Sequence, residues 1–543
     1  MKRRFGLAAI GFWLLAACGG GPAFVEAPEV QQNPNPSVPL AAVLTFEADR
    51  PVDVTVEVSD GERSFELAFG PEDDASAGLP IIGMRPARDH TLWVTIADEG
   101  GQQRVGPLSY RTPDLPEIGL EFPPVEVTVN RGDELEPGAV LFNPRRRRTG
   151  DPRFGATFGM LLVVDREGTP LWYYRNDSRI SDFDVLPNGN LIYVTQDYRL
   201  VEVDWLGNEQ RVWWAEGRPE GETEGIKVPG TLSFHHEIDL LPNGNLVVLG
   251  SEIREVDNYY TSEYNARAPR KTQKVVGDVI LEFKPDTGEV VWEWKAFDYM
   301  DPMRIGFETF SGYWERRGFP GAVDWSHANN LLYDESDDSL IVNFRYQAAA
   351  LKIDRETKEI KWIFGEPSGW GELSDKLFEA KGDDFRWPYH QHSPTPTPNG
   401  TLLIFDNGNY QGRPFDPPKL MRETYTRAVE YRLDEESRTA EQVWVSEGPG
   451  EDSVVSFAMG DIEWLPETGN LLVAYGMVLR PEDVRGGDLD WENVLRFDSW
   501  TRLREYKRST PAEVLWELKL GDPAESDELG WALFGAEHLG DWP

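Results

Sequence analysis

Short apolar runs separated by turn residues fill this chain from about residue 40 onward, and they alternate with the period of strands. Ala42-Val43-Leu44-Thr45-Phe46, Val52-Asp53-Val54-Thr55-Val56-Glu57-Val58 and Leu92-Trp93-Val94-Thr95-Ile96 are divided by turns such as Ser59-Asp60-Gly61 and Asp98-Glu99-Gly100-Gly101. Strands of that length and spacing across 40–124 predict a small N-terminal β-sandwich, closed off by Pro113, Pro116, Pro123 and Pro124.

From residue 125 to 543 a different rhythm takes over, a turn followed by a strand that closes on tryptophan. It reads Asp165-Arg166-Glu167-Gly168-Thr169-Pro170-Leu171-Trp172, and returns as Asp204 to Trp213, Lys284 to Trp292, Asp354 to Trp362, Asp434 to Trp444 and Asp498 to Trp516. Hairpins of the Leu-Pro-Asn-Gly-Asn-Leu kind number only five, around Pro187, Pro242, Tyr333, Pro398 and Pro466. A sixth would come from joining the ends of the array, with 531–539 lying beside 160–164. The fold class predicted is therefore all-β, a six-bladed β-propeller behind the sandwich. A β-solenoid is the competing architecture, but its repeats are shorter and need no closure.

The hairpins carry the chemistry. Counting back six residues from Pro398, Pro242 and Tyr333 lands each time on a histidine: His392, His236 and His327. Only seven histidines occur in the chain, so their recurrence at one repeat position points to one shared site. Five residues past the leucine after each turn the chain reads Gln196, Ser251, Arg345, Asn407 and Gly476. Because antiparallel strands reverse direction, both positions fall near one mouth of the channel, which sets Arg345 beside His327.

Lys and Arg total 54 against 94 Asp and Glu, a net charge of -40. That field repels nucleic acid and anionic membrane, and it requires local positive charge at any anion site. Residues 1–18 begin Met1-Lys2-Arg3-Arg4, continue with an apolar stretch too short to span a bilayer, and end Leu15-Ala16-Ala17-Cys18. This resembles a bacterial lipoprotein signal with lipidation at Cys18; an ordinary cleaved signal is the alternative. Gly19 after the cysteine favours the outer membrane, on the periplasmic side of the envelope. Cys18 is the chain's one cysteine, so the body that follows carries no disulfide and no thiolate chemistry. The Pro- and Asn-rich run at 19–39 reads as a flexible tether.

Three histidines would suit zinc with an open position, yet Arg345 beside the metal is an unhelpful like charge and no acid stands at the matching strand starts to serve as a base. A guanidinium with neutral donors suits a tetrahedral oxyanion instead, and a neutral imidazole can take and carry such a group covalently. No Gly-rich phosphate loop and no His-Glu-x-x-His motif occurs. The expectation is no metal and no other cofactor.

His235-His236-Glu237, Asp324-Trp325-Ser326-His327-Ala328-Asn329, Arg345, and Gln391-His392 before Phe405-Asp406-Asn407-Gly408 resemble the bacterial arylsulfate sulfotransferases that work without a nucleotide donor. The resemblance runs from the small N-terminal domain through the propeller. It implies that His392 is the nucleophile, with His390 its rival in the same stretch. It implies that His236, His327, Asn329 and Arg345 bind the sulfuryl group, which passes by way of sulfohistidine from an aryl sulfate to a phenolic acceptor. A protonated His236 or His327 would give the leaving phenolate its proton. It further implies a homodimer through the N-terminal domain, while the family's disulfide has no counterpart here. The competing reading is a non-catalytic propeller that binds a ligand or scaffolds an envelope complex; such a protein has no reason to gather these four side chains at one opening.

Overall fold

The computed structural model describes residues 20–148, 151, 154–450, 452–485, 494, 498–521, 529–540 and 542. The signal segment and Cys18 lie outside the described residues.

The N-terminal domain is a sandwich of a three-stranded and a four-stranded sheet. Its central strands show the alternation read from the sequence: along Asp53–Ser59 the residues Val54, Val56 and Val58 are buried while their neighbours face outward. The sandwich begins earlier than expected. Residues 19–39, read as a tether, contain the strand Phe24–Gln32, which pairs antiparallel with Ala42–Ala48. Phe24 and Val30 pack into the domain's core, and that burial offsets the entropy of ordering a polar segment. Farther along, Asn33 Nδ2 donates to Leu206 O of the propeller at 2.9 Å, and Arg175 N donates to Ser37 O at 2.8 Å.

Six sheets make the propeller. From the channel outward, blade 1 runs Leu529–Leu539, Ala139–Arg148, Gly159–Val164, Pro170–Asn176. The innermost strands of blades 2 to 6 are Ile180–Val185, Phe234–Leu240, Ala328–Asp334, His392–Pro396 and Asp461–Trp464. The ring closes through the chain's last strand, as the missing hairpin requires. The neighbour of that strand is Ala139–Arg148 and not 160–164, because Ala139–Arg148 stands between them. A second closure comes from the other end: Val125–Asn130 adds an outermost strand to blade 6.

The recurring tryptophans sit on the outer strands and fasten each blade to the next. Trp172 Nε1 donates to Trp205 O, Trp213 to Pro285 O, Trp292 to Arg355 O, and Trp444 to Ser509 O. Trp362 donates to the Glu435 carboxylate, and Trp516 to Arg166 O at 2.8 Å, which completes the circle. Four of the turns that receive these bonds are held by their first aspartate, Asp165, Asp204, Asp354 or Asp434. Asp204 Oδ1, for example, accepts from Leu206 N and Asn208 N, both at 2.9 Å.

Candidate active site

The three inner strands of blades 3 to 5 enter their hairpins through an irregularity, and the histidines sit at it or just before it. Pairing slips between Phe234 and Ile238, between Ala328 and Asn330, and between His392 and Thr395. His236 and His327 adopt left-handed backbone at φ 62 and 50, as does Ser393 at φ 49. Strained conformations of this kind persist where surrounding structure over-determines them, and they turn the side chains out of the ladder toward the mouth. In blade 6 the equivalent position is Gly460, at φ 119, where a Cβ would meet the Phe405 ring at 2.2 Å.

His236, His327, His392 and Arg345 line one cavity of about 650 Å³ at the channel mouth. The His236 and His327 rings lie 5.0 Å apart, and His327 stacks on Tyr346 at 4.4 Å. Tyr313 covers both, 4.7 Å from the His327 ring and 6.3 Å from that of His236. It belongs to the excursion between blades 3 and 4, which folds back over the mouth. Asn329 sits elsewhere. It lines a second cavity of about 290 Å³ inside the channel, which touches the first at His392 and Phe534. Its Nδ2 donates to Gln391 O at 3.0 Å and its Oδ1 accepts from Asn343 at 2.6 Å, so it holds the peptide before His392. His390, the rival nucleophile, packs 4.9 Å from Tyr410 and does not line the mouth cavity.

The hydrogen bonds define what the rings can do. His392 Nδ1 stands 2.7 Å from Asn407 Oδ1, while Asn407 Nδ2 donates to Ser456 O and Met459 O. Those two carbonyls fix the amide's orientation, so its oxygen must face the ring and accept from Nδ1–H. Nε2 of His392 is then the nitrogen with the lone pair. Burial, and next Arg345, hold the His392 imidazole well below its ordinary range, which keeps it neutral and nucleophilic. Burial likewise depresses His236, with His327 adding to it, and depresses His327, with Arg345 adding to it.

His327 has an acidic partner that the sequence reading missed. Its Nδ1 lies 2.5 Å from Asp324 Oδ2, and burial, aided by Asp278, pushes the Asp324 carboxyl up to about 8. At neutral pH the carboxyl keeps its proton and donates it to Nδ1, leaving Nε2–H of His327 as a donor. Asp324 was visible three residues before the histidine, but no strand pattern said that the turn would bring the two together. His236 is held by His235, Nδ1 to Nδ1 at 3.0 Å, and His235 is anchored to Gly250 O at 3.0 Å.

Arg345 stands beside His327 as expected, its N–H donating to His327 O at 3.0 Å. Its guanidinium pairs with Glu308 and donates to Phe457 O at 3.2 Å. Burial opposes that charge, but Glu308 more than restores it and raises the group above its ordinary value. Among the described residues its buried Nε–H has no partner. No group of three His, Cys, Asp or Glu among the described residues is disposed to hold a metal ion.

The cavity's outer wall is basic. Eight arginines and three carboxylates line it, the reverse of the chain's overall balance. Much of this comes from the run Arg145-Arg146-Arg147-Arg148 at the end of a blade 1 strand, a signal legible in the sequence of so acidic a chain.

Comparison with known proteins bears on this constellation. The family model for arylsulfotransferase (ASST) matches residues 135–516, and that for the arylsulfotransferase Ig-like domain matches 29–112. Two curated relatives, each called arylsulfate sulfotransferase AssT, come from Escherichia coli O6:H1 strain CFT073 and Lelliottia amnigena. Each is 28% identical over 330 residues, covering 52% of this chain and 52% of the relative. The chain thus spans about half the length of the curated relatives it matches. Among solved structures, a Bacteroides caccae protein of unknown function aligns with 74% of this chain and 98% of its own at 11% identity, with a TM-score of 0.36. With the family model covering most of the propeller, the chain belongs to the arylsulfotransferase (ASST) family.

Proposed function

We propose that this protein is an arylsulfate sulfotransferase which moves a sulfuryl group from an aryl sulfate ester to a phenolic acceptor through a sulfohistidine at His392. The observation that carries the reading is the bond from His392 Nδ1 to Asn407, which reserves Nε2 for attack in a cavity shared with His236, His327 and Arg345. Nε2 attacks sulfur, the bond from sulfur to the aryl oxygen breaks, and the phenolate leaves with the electron pair. His327 Nε2–H supplies that oxygen's proton and is resupplied on Nδ1 by Asp324. A second phenol then attacks the sulfur, its proton returns to His327, and the His392 ring is released neutral. Arg345 Nε–H is the donor available to a sulfuryl oxygen, where fixed charge lowers the barrier most effectively. Asn329 positions the Gln391–His392 peptide, and the chemistry uses no nucleotide or metal.

In this reading the chain is tethered by lipid at Cys18 on the periplasmic side of a bacterial envelope; loss of palmitate labelling in Cys18→Ser tests that. The activity is tested with 4-nitrophenyl sulfate and phenol. Nitrophenolate release that phenol accelerates and His392→Ala abolishes, with acid-labile sulfate on His392 when acceptor is omitted, supports transfer. Release indifferent to phenol would mean hydrolysis, and labelling of any other residue would remove His392 from its role.

A further inference from the structure

Arg145, Arg179, Arg316 and Arg317 line the mouth cavity and form no ion pair among the described residues. Their partners are neutral. Arg145 donates to Ser181 O at 2.8 Å and Ile180 O at 3.2 Å, and Arg179 to Gly155 O at 3.2 Å. Arg316 donates to Ser311 O at 2.6 Å. Burial first, and then the charge of Arg179, push Arg145 down to about 9. Arg179 is pushed to about 10 by burial and then by Arg317. These cations repel one another, and among the described residues no carboxylate lies within ion-pair distance of any of them. Two of the wall's three carboxylates are engaged with other groups: Glu308 pairs with Arg345, and Glu263 accepts from Glu308 N at 2.9 Å.

Aromatic rings set how far these charges stand from the imidazoles. The Arg145 guanidinium lies 5.0 Å over the Phe534 ring, which is 5.8 Å from His236. The Arg317 guanidinium lies 3.6 Å over Tyr313, which is 4.7 Å from His327. Each charge is thus one ring removed from the imidazoles, the offset that an aromatic ring imposes between a group on one edge and a group on the other.

We infer that Arg145, Arg179 and Arg317 form a second anion subsite, so that the preferred donor or acceptor is an aryl compound bearing another anionic group, a carboxylate or sulfonate, across the ring from the oxygen that gives up or receives the sulfuryl group. The aryl ring lies between Tyr313 and Phe534, and the second anion takes up the planar donors that carbonyls leave unmatched in charge. The excess positive field also draws such a substrate past a surface of net charge -40. The inference rests on the sulfotransferase reading only for the sulfuryl end of the substrate.

Aryl sulfonates, which cannot transfer, test it on the intact chain. Calorimetric titration at low ionic strength is expected to give 4-sulfobenzoate at least about tenfold tighter binding than benzenesulfonate. In the double variant R145Q/R317Q the two ligands come within about twofold of each other, while R145K/R317K, which keeps the charge, keeps the preference. Equal affinities in the unaltered protein overturn the inference, and so does a preference that survives R145Q/R317Q. Turnover of 4-nitrophenyl sulfate by the same preparations separates the two readings. A protein that turns over without the preference loses only the subsite, and one that binds the dianion but transfers nothing keeps the subsite and loses the activity.

Discussion

Asn407 Oδ1 accepts the Nδ1 proton of His392 across 2.7 Å, and that contact decides which ring nitrogen is left to react. Asn407→Ala frees the ring to flip and to change tautomer. Its kcat/KM is expected to fall roughly 10- to 1,000-fold while KM moves little. Stopped assays with 4-nitrophenyl sulfate and phenol measure this, and a variant with unchanged kcat would show that the tautomer is set by something else.

The pairing of Arg345 with Glu308 is buried on both sides, with Arg345 3% and Glu308 8% exposed. Removing one partner strands the other charge away from water. Glu308→Ala should therefore destabilise the fold by about 3–5 kcal/mol, whereas Glu308→Gln, which keeps an acceptor for Tyr410 and Arg345, costs less. Urea melts give both numbers; identical midpoints for the two variants contradict the ion pair's importance.

The carboxyl of Asp324, held up near 8 chiefly by burial, must be protonated to resupply His327. Its effect on rate has the opposite sign to that of an ordinary carboxylate base: kcat is full below about 8 and declines as pH rises through that value. Asp324→Asn keeps a hydrogen-bond donor for Nδ1 but has no proton to give. The variant should be slower and should lack the upper inflection. A wild-type profile flat from pH 7 to 10 rules out this proton source.

Inside the channel, burial raises Glu463 to about 8 and Asp184 to about 7. Unfolded, these carboxyls release their protons near their ordinary values of about 4. Between the two pH values the folded chain binds more protons, so its stability falls as pH rises from about 4 through 8. Glu463→Gln should flatten part of that slope, by on the order of a few kcal/mol at pH 9 relative to pH 5. The variant retains an acceptor for His538 N, which Glu463 Oε2 binds at 2.8 Å. Thermal melts across pH decide it, and parallel curves for the two proteins refute the assignment.

Trp516 is fully buried, and its Nε1–H meets Arg166 O at 2.8 Å where blade 6 joins blade 1. Trp516→Phe removes the donor, leaves Arg166 O with Asn130 Nδ2 at 3.0 Å as its remaining partner, and opens a small void. A loss of about 2–4 kcal/mol is expected in denaturant melts, and a loss under about 0.5 kcal/mol would mean that the seam does not depend on this bond.

Much of the architecture was readable because repetition amplifies weak signals. One Trp-closed strand means little, but six at similar spacing with five inner hairpins require a ring closed from its ends. Register then carried His236, His327, His392 and Arg345 to one mouth without any side-chain knowledge. What it missed lies where the repeat is broken. Glu308 and Tyr313 come from the excursion between blades 3 and 4, whose return over the mouth depends on tertiary packing alone. Asn329 stands two residues after His327 at the head of the strand Ala328–Asp334, yet it lines the adjoining cavity inside the channel, because the irregularity there offsets successive residues. The strand Phe24–Gln32 was hidden by its composition: Phe24 and Val30 supply the apolar anchors in a segment otherwise rich in Pro and polar residues.

The belt of indole-to-carbonyl bonds has a consequence for how the gene can be rearranged. A wheel whose spokes are each fastened to the next by an indole N–H, at five joints to a backbone carbonyl and at one to the Glu435 carboxylate, has no preferred starting spoke, since the bond from Trp516 to Arg166 does at the chain's own seam what the bond from Trp213 to Pro285 does in the middle. Fusing the present ends of the propeller and opening it in the exposed turn at 335–337 would move the seam to blade 4 and leave His236, His327 and His392 facing the same opening.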